Sequence, residues 1–339
     1  MKKRFERLCL PVTVYSLFLY LMSCTEEEIE KTFFLFGGAI PFSVKSKFNN
    51  SYSLKEYDRT GLMASKIYRE CVYLRYVKWF VIPHNRRLKL FVQDHLKFCS
   101  YIIGKREYTL LEDAPHSNVF FVNGMMDSLD HNRRNMAHYK LARWFYGPVY
   151  GHSFGRNEQC TDILLWKYDD TPFLKSKNCH IVDLQEAWNN ICEKKRLFLY
   201  NIWDINDDEI KELKKYPCVL ITQPFYKIKG MDLVTNAVIY KSIAEKYPPQ
   251  KLLIKTHPRD DFDYERILPG YTIFRKPIPL QLISLFGIRW EKVVTVNSSS
   301  VLDFDYPLEI DWYGNGCGRL LPDQFKRIPI SVNVNLKSI

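Results

Sequence analysis

Short apolar runs rich in β-branched and aromatic residues recur along the chain, each closed by a polar cluster or a turn, with helix-like spacing between them. Residues 7–12 read as a first strand, followed by a turn at Pro11-Val12-Thr13 and an apolar helix ending near Glu26-Glu27-Glu28. Residues 31–36 read as a second strand, closed by Gly37-Gly38. A helix is expected over 53–79, where Leu54, Tyr57, Met63, Ile67, Cys71 and Leu74 fall at mixed three- and four-residue steps. Strands follow at 87–92, ending in Gln93-Asp94-His95, and at 107–111, ending in Glu112-Asp113-Ala114-Pro115. Residues 157–183 read as short strands and loops. The pattern then restarts with a strand at 218–221, a helix at 233–247 and strands at 251–254 and 271–274. A helix at 280–286 and a strand at 292–296 complete it. Two β/α series separated by a break over 183–217 predict an α/β protein with two Rossmann-like domains, residues 1–200 and 201–339, facing a central cleft.

A chain of 339 residues with 46% hydrophobic and 26% charged residues has the length and composition of a two-domain globular protein. The formal charge of +11 gathers at Lys2-Lys3-Arg4, Arg86-Arg87, Arg133-Arg134 and Lys194-Lys195-Arg196. Such clusters are either solvated faces or attractors for nucleotide donors, phosphorylated glycolipids or an acidic membrane surface. No helix-turn-helix, zinc-finger or RNA-binding signature supports nucleic acid as a partner. The nine cysteines are scattered singly, which argues against a disulfide framework or zinc site and for a reducing cytoplasm. The first residues imitate a signal peptide, but Pro11, Thr13, Tyr15 and Ser16 interrupt an apolar run shorter than the ~20 residues of a spanning helix. A βα unit fits them better.

The chemistry lies where the predicted strands end, because open α/β sheets bind ligands beyond the carboxyl ends of their strands. In the second series Lys255, His257, Pro258 and Arg259 end one strand, Ser298, Ser299 and Ser300 another, and Thr222 and Gln223 a third. Cations, an imidazole and hydroxyls together suit a nucleotide phosphate. His257 is either a satisfied core histidine or a hydrogen-bond donor or general acid to that phosphate. The serines are either helix N-caps or a phosphate cradle at a helix start. In the first series Glu112 and Asp113 are base candidates or a loop acid pair, and Asp94 and His95 are acceptor-side candidates. Asp261-Phe262-Asp263 and Asp303-Phe304-Asp305 form DxD strings, a weak metal signal in a chain with this many acids.

Taken in order, these residues resemble bacterial sialyltransferases of glycosyltransferase family 52 and the related capsular polysialyltransferases. That family carries an (E/D)DG motif in its first domain, an HP motif in its second and a serine pair downstream. The counterparts here are Glu112-Asp113-Ala114, His257-Pro258 and Ser298-Ser299-Ser300. Phe91-Val92-Gln93-Asp94-His95 and Val219-Leu220-Ile221-Thr222-Gln223-Pro224 are similar to segments of the group as well. The resemblance implies an inverting, metal-independent transfer from CMP-sialic acid to a surface glycan, such as lipooligosaccharide or capsule, in a GT-B-like fold. Asp113 would be the base, His257 the acid facing the CMP phosphate, and the serines its binding site, with no cofactor. One position departs: Ala114 stands where the family has glycine, which is costly if the site requires positive φ. The alternatives are a glucosyl-type or CDP-glycerol-type transferase and a non-catalytic nucleotide-sugar-binding relative. Expected partners are a nucleotide-sugar donor and a glycan or glycolipid acceptor. A homodimer, and peripheral contact with an anionic membrane from the cytoplasmic side, stay open.

Overall fold

The computed structural model describes residues 4–37, 40–54, 63–115, 127–168, 170–227, 231–296, 298, 300, 301, 304, 306–313 and 334–336. The chain divides into two compact units, Met1–Lys195 and Arg196–Ile339. The first opens with β1 (Arg7–Leu10), α1 (Val14–Ser23), α2 (Glu26–Glu30), β2 (Thr32–Phe36), α3 (Phe42–Lys45) and β3 (Ser51–Ser53). It continues with α4 (Met63–Tyr76), β4 (Lys89–Val92), α5 (Lys97–Ile103) and β5 (Tyr108–Leu111). Then come α6 (Asp127–Arg134), α7 (Tyr139–Tyr146), β6 (Cys160–Leu165), α8 (Pro172–Lys175), β7 (Asn178–Ile181) and α9 (Leu184–Asn190). The second unit contains α10 (Glu193–Trp203), which begins at the boundary, α11 (Asp207–Leu213), β8 (Cys218–Ile221), α12 (Leu233–Ala244) and β9 (Leu252–Lys255). After these lie α13 (Tyr264–Ile267), β10 (Thr272–Phe274), α14 (Leu280–Leu285), β11 (Lys292–Thr295), β12 (Glu309–Trp312) and β13 (Val334–Leu336).

Each unit is built on a fully parallel sheet, ordered β3-β2-β1-β4-β5-β6-β7 in the first and β10-β9-β8-β11-β12-β13 in the second. Both orders reverse direction beside their first strand. The crevices at these switch points lie beyond β1 and β4 in one unit, and beyond β8 and β11 in the other.

α1, the early apolar run, is packed into the core of the first unit. Every residue from Tyr15 to Met22 is buried, and Tyr20 meets the rings of Phe34 and Phe91 at 6.0 and 5.0 Å. Thr13 caps the helix start, accepting from the Ser16 N–H at 3.1 Å, and Lys195 Nζ donates to the Cys24 carbonyl at 2.6 Å at the other end. A cation there complements the helix dipole. Part of the basic cluster at 194–196 is thus a buried structural cap. No helix among the described residues is long and apolar enough to cross a membrane.

Two expectations need correction. Residues 51–53 form an edge strand, paired with Phe34 to Phe36; residues 55–62 of the expected helix lie outside the described residues, α4 is described from Met63, and a π-helical turn, Val77–Val81, ends it. A three-residue strand gives too little alternation to be read. The supposed break over 183–217 holds α9, α10 and α11. Their signals were in the caps: Asp183 accepts from the Glu186 N–H, and Asn206 forms a capping box with Glu209.

Candidate functional site

The first unit gathers its polar groups where β1, β4 and β5 end side by side. Gln93, buried directly after β4, is the hub. Its Oε1 accepts from the backbone N–H groups of Val12 and Thr13 and from Ser16 Oγ at 2.7 Å, and its Nε2 donates to Asp113 Oδ1. The Asp113 carbonyl also accepts from Thr13 Oγ1 at 3.0 Å. Asp113 is half-buried, held by one carboxylate oxygen, with no protein donor on Oδ2 among the described residues. Glu112 turns the other way. It is 3% exposed and accepts from Tyr15 OH at 2.6 Å and from the Trp166 N–H at 3.1 Å, tying α1 to the end of β6. Ala114 keeps a negative φ, so the missing glycine brings no backbone strain.

Asp94, a candidate for the acceptor side, is turned into the core. It is wholly buried and accepts from Tyr108 OH, from the N–H groups of Phe154 and Gly155 at 2.6 and 2.8 Å, and from Asn157 Nδ2 at 3.5 Å. Desolvation raises its pKa, opposed by these hydrogen bonds. Its task is to hold the 153–157 loop, in which Phe154 adopts a φ of 61°. That left-handed backbone is rare for an aromatic residue and needs such an anchor. His95 is half-buried and stacks on the Phe154 ring at 5.3 Å, and its carbonyl accepts from buried Arg133 at 2.7 Å.

In the second unit, Thr222 at the end of β8 organises the edge. Its hydroxyl donates to Asp260 at 2.7 Å and accepts from the His257 N–H at 3.2 Å. Asp260, which the motif reading omits, also accepts from Tyr264 OH at 2.8 Å and from the Phe262 N–H at 3.2 Å. The Arg259 N–H donates to His257 Nδ1 at 3.0 Å. Nδ1 is therefore an acceptor, and the ring proton sits on Nε2. Burial, then the nearby charges of Arg259, Lys255 and Lys227, push the imidazole down to about 3. At neutral pH His257 is thus an uncharged imidazole that offers Nε2–H as a hydrogen-bond donor. Pro258 is half-buried, Arg259 is exposed, and the Gln223 backbone is clasped by Tyr240 OH.

The serine run ends β11. Ser298 and Ser300 share a hydroxyl–hydroxyl bond of 2.7 Å, and the Ser298 N–H donates to Thr295 Oγ1 at 3.0 Å. Ser300 and Val301 lie in a 3₁₀ turn. Asn297, Ser299, Asp303 and Asp305 lie outside the described residues. The other DxD string is committed structurally: Asp261 accepts from Tyr226 OH and pairs with Lys227, and Asp263 caps α13.

Lys255 is the anomaly of this edge. It is 3% exposed, and among the described residues its Nζ donates to the carbonyls of Thr256 and Lys276, at 3.5 and 3.4 Å, and lies over the Phe274 ring at 5.7 Å. Burial pushes its ammonium down to about 7. Between pH 7 and 10.5 the unfolded chain holds more of this proton, so the penalty is full below pH 7 and fades as pH rises. Lys255→Met is therefore expected to stabilise the protein by about 1–2 kcal/mol. In thermal melts the gain should be largest at pH 6 and nearly absent at pH 10.

Two successive doubly wound parallel sheets, each presenting a switch-point edge of polar groups, are the architecture of the GT-B fold. Residues 40–311 match glycosyltransferase family 52, and the chain belongs to that family. It is 26% identical over 236 residues to an uncharacterized protein of Haemophilus influenzae, covering 68% of this chain and 71% of that one. Its fold resembles the α/β-galactoside α-2,3-sialyltransferase of Photobacterium phosphoreum, with a TM-score of 0.53 and 12% identity over 92% of this chain and 91% of that one. A 2,6-sialyltransferase of a Photobacterium species, crystallised with CMP and lactose, gives a TM-score of 0.52 at 13% identity, covering 90% of this chain and 71% of that one.

Proposed function

We propose that this glycosyltransferase moves sialic acid from CMP-sialic acid to a hydroxyl of a surface glycan, with inversion and without a metal. One observation carries the reading: the switch-point edge of the second sheet is rich in donors. Lys255 has no carboxylate partner among the described residues, His257 keeps its Nε2–H, and the Ser298–Ser300 pair has a hydroxyl proton to spare. Asp260, by contrast, is saturated with protein donors. Such a set recognises one phosphate, and a CMP donor leaves with only one. The Photobacterium enzyme that binds CMP and lactose supports this donor and a glycan acceptor. The half-buried Asp113, steadied by Gln93, is the base.

In the proposed reaction Asp113 takes the proton of the acceptor hydroxyl while that oxygen attacks the anomeric carbon. The bond from that carbon to the phosphate oxygen breaks, and CMP departs with the electron pair. His257, Lys255 and the serines stabilise the charge that develops on the phosphate. No cofactor takes part, and a cytoplasmic location suits a nucleotide-activated donor.

Calorimetric titration with CMP tests the reading. A Ser298→Ala/Ser300→Ala variant should bind CMP at least about tenfold more weakly, as expected when hydrogen bonds to a charged group are lost. Equal affinity would remove the phosphate site from this edge. Turnover of CMP-sialic acid should survive EDTA. Activity lost to EDTA and restored by Mg²⁺ or Mn²⁺, or turnover of CDP-glycerol or a UDP-sugar alone, would overturn the donor and metal assignments.

A further inference from the structure

The amino edge of the first sheet carries a surface that chemistry at the carboxyl edge does not use. α4 and α5 each follow a strand and return antiparallel to it, so the π-helical turn at Val77–Val81 and Gly104 lie where β4 and β5 begin. α7 ends beside them, with so little space that a Cβ on Gly147 would stand 3.3 Å from the Gly104 Cα. An open groove runs between the π-helical turn and α7, walled by Trp79, Tyr101, Trp144 and Tyr146.

Large apolar side chains stand out around this groove: Phe80 is 80% exposed, Trp144 77%, Leu141 67% and Trp79 51%. Scattered surface apolar residues need no explanation, but a cluster around one groove does. The rings are braced, Phe80 on Tyr76 at 5.9 Å and Trp79 under the Arg86 guanidinium at 5.2 Å. Basic residues outnumber acids around them, although exposed Glu107 lies two residues beyond Lys105. Residues 69–89 contain six Lys or Arg and a single acid, Glu70, which pairs with Lys97. Residues 139–148 contain Lys140 and Arg143 and no acid. Lys78 and Lys105 line the groove itself.

This mixture discriminates among occupants. Protein interfaces take aromatic residues and arginine but are depleted of lysine. A second copy meeting this face with its own would bring the cations together, which is repulsive. Aromatic tips beside long basic side chains match the boundary between lipid headgroups and acyl chains, where the rings bury and the ammonium groups reach phosphate. We propose that this face docks on an anionic phospholipid surface. Trp79, Phe80, Leu141 and Trp144 enter the headgroup layer, and Lys78, Lys105, Lys140 and Arg143 meet lipid phosphates. The carboxyl edge of the same sheet then faces away from the lipid.

Flotation of the full chain with vesicles tests this independently of the donor assignment, since the vesicles hold neither nucleotide nor glycan. The wild type should float with phosphatidylcholine containing about one-third phosphatidylglycerol, be released by high salt, and stay down with phosphatidylcholine alone. Trp79→Ser/Phe80→Ser/Trp144→Ser and, separately, Lys140→Glu/Arg143→Glu should each weaken partition about tenfold or more. Circular dichroism and turnover on a soluble acceptor should not change in the charge-reversed variant. Absence of flotation, equal binding to neutral vesicles, or variants that float like the wild type would overturn the proposal. So would a dimer that light scattering finds abolished by these substitutions while flotation persists.

Discussion

Replacing Asp113 with Asn should lower kcat by roughly 10²–10⁴-fold, the usual contribution of a positioned general base. CMP affinity should hardly change, because the groups proposed to bind the phosphate belong to the second unit. The substitution keeps the shape and leaves the Gln93 amide a side-chain oxygen to meet. Glu112→Gln should behave differently. That carboxylate faces inward, between Tyr15 OH and the Trp166 N–H, so its loss should cost about 1 kcal/mol of stability with kcat largely retained. Single-turnover kinetics on both variants, together with CMP titration, separates the roles. An inactive Glu112→Gln beside a normal Asp113→Asn would reverse the assignment.

Asp94→Ala should be the most destabilising substitution at the first unit's edge, by about 3–5 kcal/mol. It strands the N–H groups of Phe154 and Gly155 and the Tyr108 hydroxyl, and buried donors without acceptors cost about 1–3 kcal/mol each. It also frees a left-handed Phe154, whose φ of 61° persists only while its N–H is held. Thermal melts should show a fall of about 2–4 °C per kcal/mol for a unit of this size. An unmoved melting curve with a lowered kcat would instead return Asp94 to the acceptor side.

Much of the carboxyl-edge geography was legible because a buried parallel strand is an apolar run that stops abruptly. The runs before Gln93, Glu112, Thr222, Lys255 and Asn297 all do so. What lies at the end of a run was harder to divide into roles. Gln93, Asp94 and His95 are consecutive polar residues, and their tasks depend on which way each side chain turns. Only coordinates reveal that the amide steadies Asp113, the carboxylate holds a loop and the imidazole stacks on Phe154. The protonation of His257 was hidden for the same reason, since it follows from one backbone N–H two residues later. β12 escaped notice because its buried Asp311, held by Tyr247 OH and Lys292, breaks the apolar pattern of a core strand.

The placement of β1 shapes how the protein comes into being. The first strand of this sheet in chain order occupies an interior position, between β2 and β4. One flank is satisfied soon after the ribosome releases it, but the other waits for Lys89 to Val92. At about 5–20 residues per second the nascent chain therefore carries an open strand flank, with Leu8, Cys9 and Leu10 upon it, for on the order of ten seconds. Chain–chain association is thus a hazard of translation, and slower growth temperatures or chaperone supply should govern the yield of native protein more than the robustness of the finished fold does.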